Sequence, residues 1–578
     1  MMILPNCVCR HSLTIAGILL YALVGAAVQA AERQDSKALE RPNIVIILAD
    51  DLGYGDLKCY NKDCLILTPN LDKLASSGIR FTNGHTSSSV CTPTRYSLLT
   101  GRYNWRSYHK NHVAGTFSKP LIEDGRTTIA SLLKERNYAT GIIGKWHLGL
   151  GWRNHKNELV YGGIGDEIDK LDVDYKREIE GPLNNGFDYY YGIAASLNMS
   201  PYCFIRNKHM VGELTRLPTD KTKLAEAYPK VYKMMPLGGH IAKDFDFEKV
   251  MDKLTDDAKS FIAGKANKEK PFFLYFPLTA PHIPVSPAER FWDKGGVGPM
   301  KHKHHRGYAD LVYQVDDCVG EVVKALEEQG ILDNTLIFFM ADNGASAKAC
   351  NYGVMLKKTG HDPSGGLKGT KGSIYEGGHR VPFIVSWKGK TNGQINDNLV
   401  GITDVFATVA DLVGYKVASD AGEDSVSFLP YLGGGSTALR EDLVYHSVAG
   451  DLAITKGRNK LVFSKTHGSW GAHHEIRKNP DLPKFQLYDL DADPKETTNL
   501  YREDADAETL VIVHNLQKTL QQYILKGRST PGEEQKNFGD RVLFNNSYKV
   551  FEISDFNKRQ LDRHTKEYVL EHYTSEGE

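Results

Sequence analysis

The sequence predicts an α/β fold with a mostly parallel central sheet sandwiched by helices, followed by a smaller C-terminal α+β subdomain that contains an antiparallel sheet. Two observations support this fold. As far as about residue 440, apolar runs rich in β-branched and aromatic residues alternate with amphipathic helical segments, which is typical of a parallel sheet covered on both faces. Beyond that point the predicted strands are shorter and more polar, as expected for an antiparallel sheet.

The alternation begins at Pro42–Ala49, a continuous apolar run that ends in two aspartates and therefore predicts a buried strand. Thr68-Pro69-Asn70 is a helix start signal for the segment that follows it. Amphipathic or apolar periodicity then predicts helices at 71–77, 127–136, 245–263, 308–328 and 404–412, and strands at 138–143, 272–278, 336–340 and 383–387. In the smaller subdomain it predicts strands at 451–464 and 485–490 and a helix at 508–525.

Composition excludes several classes of protein. The chain has 578 residues, with 71 Lys and Arg against 71 Asp and Glu, so its formal net charge is zero. A general nucleic-acid-binding protein usually carries a basic excess, and we therefore expect no nucleic-acid partner. With 41% hydrophobic and 25% charged residues, wholesale disorder and coiled coil are also excluded.

The N-terminus has the pattern of a secretory signal peptide. Arg10 and His11 precede an apolar run, Leu13–Val28, that ends in Val-Gln-Ala. We predict cleavage after Ala30, with an uncleaved membrane anchor as the alternative reading. The predicted division is then a signal peptide at 1–30, a catalytic domain at 31–440, and a C-terminal subdomain and tail at 441–578. The mature protein would be secreted or periplasmic, without stable insertion in the membrane.

Six of the eight cysteines remain after that cleavage. They are too few for a scaffold built from disulfides, and no Cys-x-x-Cys pattern indicates a zinc or thioredoxin-like site. Cys59 and Cys64 are close enough in sequence to bridge a small loop, but the sequence does not establish that they do.

Polar side chains follow four of the predicted strands at the point where each strand ends. Ligands bind beyond the carboxyl ends of the strands in an open parallel sheet, so these residues are expected to form one site. They are Asp50 and Asp51, Lys145 and His147, His282, and Asp342 and Asn343.

Asp50, Asp51, Asp342 and Asn343 carry hard oxygen ligands, which favour Ca²⁺ or Mg²⁺ over zinc. Either pair alone is explained as well by a tight turn. Two adjacent carboxylates at the end of a buried strand are costly without a cation, and the second pair at another strand end strengthens the metal interpretation.

Lys145 and His147 are two residues apart, which places them on the same side of an extended segment. His282 lies between prolines, which fix the local backbone and thereby orient its imidazole ring towards the site. A structural histidine is the alternative. Cys91 lies near a predicted helix start, where a depressed thiol pKa would make it a nucleophile. A buried structural cysteine is the alternative for Cys91.

These motifs together resemble the type I, formylglycine-dependent sulfatases of the alkaline phosphatase superfamily. The resemblance covers the chain from about Pro42 to beyond Leu490 and is closer to arylsulfatase A and N-acetylgalactosamine-6-sulfatase-like members than to phosphonate hydrolases. One departure is Thr94, where many members have serine. The matching motifs, in family order, are Asp50-Asp51, Cys91-Thr92-Pro93-Thr94-Arg95 with Leu98–Arg102, Gly-Lys-Trp-His-Leu-Gly at 144–149, Asp342-Asn343-Gly344, and Lys371–Gly378.

The resemblance implies a hydrolase that cleaves sulfate esters and releases inorganic sulfate, and the substrates it implies are sulfated carbohydrates or polysaccharides. It implies that a formylglycine-generating or sulfatase-maturing enzyme oxidises Cys91 to Cα-formylglycine, whose hydrate attacks sulfur. It also implies a bound Ca²⁺ whose ligands are Asp50, Asp51, Asp342, Asn343 and residue 91.

Further roles follow from the resemblance alone. Arg95 would orient the hydrate, and Lys145 and Lys371 would hold the sulfate oxygens. His282 would contact the substrate and protonate the leaving alcohol, and His147 would take a proton from the second hydroxyl. Ser196 aligns with a serine that contacts sulfate.

Two other functions are compatible with the same motifs. One is a phosphonate or phosphate ester hydrolase of the superfamily, and the other is a catalytically inactive glycan-binding relative. Retention of both lysines and both histidines favours a sulfate ester as the substrate. Loss of Cys91 or of a metal ligand would favour the inactive relative, but all of these residues are present.

Overall fold

A computed structural model describes the chain at residues 41–538, except 163–167, 218–219, 221, 224–225, 227–238, 267, 302–304, 471, 480, 484 and 503, and also at 541–542 and 551–552. The predicted signal peptide at 1–30 lies outside these residues. Among the helices of this described part, none combines the length and apolar character needed to cross a bilayer.

A ten-stranded sheet forms the centre of the molecule. In chain order its strands are β1 (Asn43–Asp50), β2 (Ile79–Phe81), β3 (Ala139–Lys145), β4 (Tyr189–Ile193), β5 (Ile205–Arg206), β6 (His209–Met210), β7 (Phe272–Pro281), β8 (Thr335–Ala341), β9 (Phe383–Trp387) and β10 (Gln394–Asn396). They lie in the order β10-β2-β9-β8-β1-β7-β3-β4-β5-β6. The neighbours from β8 to β4 are all parallel, whereas β9, β5 and β6 pair antiparallel at the flanks. The predicted mostly parallel sheet is confirmed.

Helices cover both faces of this sheet. In chain order the longer ones are α1 (Pro69–Ser77), α2 (Cys91–Thr100), α3 (Ile129–Glu135), α4 (Val250–Lys265), α5 (Arg306–Glu328), α6 (Tyr352–Thr359), α7 (Val405–Leu412), α8 (Ala472–Lys478) and α9 (Ala507–Lys526). On one face α1, α4 and α5 pack against Val45 and Ile47 of β1. On the other face α2, α3 and α7 pack against Ile44 and Ile46. Because successive side chains of a strand point to opposite faces, a strand between two helical layers is apolar at every such position.

A separate four-stranded antiparallel sheet follows, as predicted. Its strands are β11 (Asp442–His446), β12 (Leu452–Lys456), β13 (Asn459–Val462) and β14 (Gln486–Asp489), in that order. Val513, Leu516 and Leu520 of α9 pack against it. We keep the division at residue 440 as a proposal and refer to residues 441–538 as the C-terminal subdomain.

The remaining elements are short. Two-stranded ribbons join Gly84–His85 to Val400–Gly401, Trp152–Arg153 to Leu159–Val160, Leu214–Arg216 to His240–Ala242, and Arg541–Val542 to Phe551–Glu552. One-turn helices lie at Ala347–Cys350, Glu376–His379 and Leu429–Leu432.

Some details differ from the predictions. The single strand predicted at 451–464 is a hairpin, β12 and β13, which turns at Gly457 with φ +56°. Gly457 is the only glycine in the segment 451–464, and the sequence pattern therefore predicts one strand across the turn. Strand β4 was missed. Cys59 and Cys64 are not bridged, and all six cysteines from Cys59 to Cys350 are free.

Arg106 connects the main domain to the C-terminal subdomain. Its buried guanidinium donates two hydrogen bonds of 2.8 Å to the carboxylate of Asp424. It also donates one of 2.9 Å to the backbone carbonyl of Tyr523 in α9. A charge removed from water is tolerated when it is fully paired in this way.

Replacing Arg106 by alanine should therefore leave Asp424 buried without its cation. We expect Arg106→Ala to lower the free energy of unfolding by about 3–5 kcal/mol, measured by urea denaturation. Lys134→Ala is the control, since Lys134 and Asp188 form an exposed ion pair that should contribute less than about 1 kcal/mol. Equal losses in the two variants would contradict this role for Arg106.

Candidate active site

The carboxyl ends of β1 and β8 bring four oxygen-bearing side chains together. Asp50 ends β1 and Asp51 follows it, while Asp342 and Asn343 follow β8, and all four are buried. The backbone amide of Asp51 donates to Asp342 Oδ1 at 3.1 Å, and Asn343 Nδ2 donates to Asp51 Oδ1 at 2.8 Å. Asp51 has φ +70°, a sparsely populated conformation for a residue with a side chain, and strain of this kind is concentrated at functional sites.

Three buried oxygens of this group accept no hydrogen bond from the described residues: Asp50 Oδ1, Asp51 Oδ2 and Asn343 Oδ1. A buried polar atom without a partner is costly, and three such oxygens from different side chains in one cluster are explained by a bound ion or water. Carboxylate and amide oxygens are the ligands that Ca²⁺ and Mg²⁺ prefer. The residues present therefore fit a hard divalent cation.

Three basic side chains surround the carboxylates. Lys145 Nζ donates to Asp50 Oδ2 at 2.7 Å, and Lys371 Nζ donates to Asp51 Oδ1 at 2.6 Å. Arg95 donates to Asp342 Oδ2 through Nε at 3.0 Å and through the terminal Nη2 at 2.7 Å. Each carboxylate thus has a cationic partner, and Arg95 also lies 3.7 Å from Asp50 Oδ1. A divalent metal ion would leave the cluster with a net positive charge that attracts an anion.

The carboxylates titrate differently because their surroundings differ. Burial by itself would raise the pKa of Asp50, but the charges of Lys145, His282 and Arg95 hold that pKa well below its usual range. Burial raises the pKa of Asp342 to about 6, and the charge of Asp50 adds to the effect. Asp342 is thus difficult to ionise beside Asp50, and a bound cation would favour its ionised form.

Cys91 is the first residue of α2 and is buried beside this cluster. Its sulfur and one carboxylate oxygen each of Asp50 and Asp342 lie within 4.8 Å of one another. Burial raises the pKa of the Cys91 thiol, so the depressed pKa expected at a helix start is wrong. A thiolate nucleophile at this position is therefore disfavoured.

Two histidines face the same region. His147 Nε2 lies 2.8 Å from the carbonyl of Ala114, and Nδ1 lies 3.3 Å from Cys91 Sγ. If Nε2 carries the proton and donates it to that carbonyl, Nδ1 presents a lone pair to residue 91. Burial lowers the pKa of His147 well below its usual value, and the charge of Lys145 adds to this, which favours the neutral ring.

His282 follows β7, and its Nδ1 lies 2.6 Å from the carbonyl of Ile283. Its Nε2 is 3.7 Å from Asp51 Oδ2 and therefore points into the cluster. Burial and, to a smaller extent, the charge of Lys371 lower the pKa of His282 to about 4. A bound anion next to Nε2 would favour the protonated ring.

Ser196 lies in the turn after β4, close to the segment of His147. The backbone amide of His147 donates to the carbonyl of Ala194 at 3.0 Å, two residues before Ser196. Ser196 is buried, and its hydroxyl has no partner among the described residues. No sequence pattern indicates the carbonyls of Ala114 and Ile283, which contact the histidine rings, because every residue has a backbone carbonyl.

Comparison with known proteins identifies the family. A family model described as Sulfatase matches residues 42–415. The chain belongs to the sulfatase family. A second model, described as N-sulphoglucosamine sulphohydrolase, C-terminal, matches residues 370–526 of this sulfatase. The chain is therefore a sulfuric ester hydrolase, and the family membership predicted from its motifs is confirmed.

Similar proteins match most of the chain. An N-acetylgalactosamine-6-O-sulfatase of Bacteroides thetaiotaomicron is 33% identical over 512 residues, covering 83% of this chain and 94% of the relative. Arylsulfatase A of Homo sapiens is 31% identical, covering 79% and 83%. A solved structure from work on glycosaminoglycan metabolism by Bacteroides thetaiotaomicron has a TM-score of 0.69 at 32% identity, covering 84% of this chain and 99% of its own. Another, Ps i-CgsB in complex with k-i-k-neocarrahexaose, has a TM-score of 0.60 at 25% identity, covering 86% and 95%.

The cluster predicts metal-dependent stability. At a calcium concentration one hundredfold above the dissociation constant, binding should stabilise the protein by about 2.7 kcal/mol, seen as a rise in Tm that a chelator reverses. Asp51→Asn should abolish most of this rise, because it removes a ligand charge. Asp333→Asn is the control, since Asp333 is exposed. Equal calcium shifts in Asp51→Asn and the wild type would show that the ion binds elsewhere.

Proposed function

We propose that this sulfatase hydrolyses sulfate esters of a sulfated carbohydrate, using a Cα-formylglycine formed from Cys91 and a bound Ca²⁺, and that it releases inorganic sulfate. The observation that carries the proposal is the position of Cys91, buried between His147 Nδ1 and the carboxylates of Asp50 and Asp342. The raised pKa of the Cys91 thiol disfavours a thiolate nucleophile at this position. The proposal includes a maturation enzyme as a partner.

The charge distribution suits a sulfate ester. Its ester group carries a single negative charge, which repels an oxygen nucleophile unless cations offset it. We assign Lys145, Lys371 and Ser196 to the sulfate oxygens and Arg95 to the orientation of residue 91. Ca²⁺, held by Asp50, Asp51, Asp342, Asn343 and residue 91, would supply further positive charge at the developing oxyanion.

Proton transfer is assigned to the two histidines. A formylglycine at residue 91 would supply, as its hydrate, one hydroxyl whose deprotonated oxygen bonds to sulfur as the ester S–O bond breaks, and a second hydroxyl whose deprotonation expels sulfate as the aldehyde re-forms. His282 gives a proton to the leaving alkoxide, which is a poor leaving group in a sugar. His147 accepts the proton of the second hydroxyl through Nδ1, the atom that faces residue 91.

The substrate class rests on relatives and on the predicted signal peptide. One relative is named for N-acetylgalactosamine 6-O-sulfate and one solved neighbour holds a neocarrahexaose, so sulfated sugars are the substrates to test first. A secreted or periplasmic enzyme would meet such polymers outside the cytoplasm.

The modification is tested by mass spectrometry of tryptic peptide 81–95 from protein made in its native host. We expect a mass lower than that of the thiol peptide by the difference between a CH₂SH group and an aldehyde. Cys203, which is buried and lies outside the motif, is the internal control and should remain a thiol. An unmodified Cys91 in active protein would contradict the formylglycine mechanism.

Substitution tests the charge arrangement. Lys371→Ala should lower kcat/KM for a sulfate ester by about 10²–10³-fold, because it removes one preorganised donor from the transition state. Lys388→Ala, at an exposed lysine, should leave it unchanged. The same enzyme should prefer an aryl sulfate to the matching aryl phosphate, and the reverse preference would support the phosphate or phosphonate hydrolase instead.

A further inference from the structure

Trp470 is exposed in a protein that buries most of its tryptophans. Four of the six are buried, namely Trp105, Trp146, Trp152 and Trp387. The side chain of Trp470 is 54% exposed. A single exposed apolar side chain is common on a protein surface, but an exposed tryptophan beside a ligand site offers a large aromatic face on which a ligand can pack.

Trp470 lies against the residue that follows the sulfate-binding lysine. A β-carbon built on Gly372 would lie 2.6 Å from Cζ3 of Trp470 and 2.8 Å from Oγ of Ser469. Gly372 also has φ +87°, so both its conformation and this close approach require glycine. The indole ring therefore packs on the backbone of Gly372, the residue after Lys371, whose ammonium group reaches Asp51.

The loop that carries Trp470 is held firmly in place. Gln486 Nε2 donates to the carbonyls of Ser464 and Thr466 at 2.8 and 3.0 Å, and Ser464 Oγ donates to Asp451 Oδ2 at 3.0 Å. The amide of Ile374 donates to the carbonyl of His467 at 2.9 Å, which ties this loop to the loop of Lys371. A ring on such a support loses little entropy when a ligand binds.

The same part of the subdomain continues around the site. The amide of Val448 donates to the carbonyl of Gly372 at 3.0 Å, and the amide of His112 donates to the carbonyl of Val448 at 3.1 Å. His112 is two residues before Ala114, whose carbonyl contacts His147. Backbone hydrogen bonds thus connect Gly372, on which Trp470 packs, with the segment whose Ala114 carbonyl contacts His147.

We propose that Trp470 is the stacking surface for the pyranose ring of the substrate, so that the C-terminal subdomain supplies the sugar-binding wall of the active site. This inference rests on the proposed function. The face of a pyranose carries C–H groups that pack on an aromatic ring while the hydroxyl groups at its edge remain hydrated. With the sulfate held at Lys371, the neighbouring indole is the aromatic surface placed to receive the ring that bears the ester.

The test uses the mature full-length enzyme with N-acetylgalactosamine 6-sulfate and galactose 6-sulfate, with released sulfate measured by ion chromatography. Trp470→Ala should raise KM roughly tenfold, equivalent to about 1.4 kcal/mol of binding free energy, with little change in kcat. Trp470→Phe keeps an aromatic face and should stay within about threefold of the wild type. The inhibition constant of inorganic sulfate, which lacks a sugar ring, should be unchanged in both variants.

Val511→Ala is the matched control, because Val511 is an exposed apolar residue of the same subdomain and should alter none of these constants. An unchanged KM in Trp470→Ala would overturn the inference while the wild-type activity leaves the proposed function standing. A parallel rise in KM and in the inhibition constant of sulfate would show that Trp470 only supports the Lys371 loop, and would also overturn it. Failure of the wild type to release sulfate from any sulfated sugar would overturn the proposed function and the inference together.

Discussion

The site depends on the burial of three carboxylates beside three cations at one edge of a parallel sheet. Asp50, Asp51 and Asp342 are buried. They pair with Lys145, Lys371 and Arg95, respectively. Isolated buried charges would be prohibitively unstable, whereas paired and hydrogen-bonded charges are tolerated. The buried oxygens left without a donor are the places where this pairing is incomplete, and they are the atoms that we propose as ligands of a cation.

The sheet makes this concentration of charge possible. Its central strands are parallel, so their carboxyl ends share one edge, and residues far apart in sequence meet there. The helical layers on both faces fix the strands through apolar contacts on alternate residues. The polar site therefore has a rigid apolar support, and electrostatic preorganisation of this kind stabilises charge that develops during a reaction.

The C-terminal subdomain contacts the loop of Lys371 from outside the sheet. Its loops contact the Lys371 loop through Ile374 and Gly372, and the buried pair of Arg106 and Asp424 lies near its junction with the main domain. These contacts join residues that are separated by many positions in the chain. The sequence predicted a separate subdomain, but it contained no sign that this subdomain borders the active site.

The sequence by itself determined the parallel sheet and most of the candidate site, because strand periodicity and polar residues at strand ends are local patterns. Asp50, Lys145, His282 and Asp342 could all be found in this way, and the motif around Cys91 identified the family. Only the tertiary structure decided the pairing of charges, the raised pKa of the Cys91 thiol and the place of Trp470 beside Gly372. Burial and contacts between distant segments determine these properties, and neither can be predicted from the local pattern of residues.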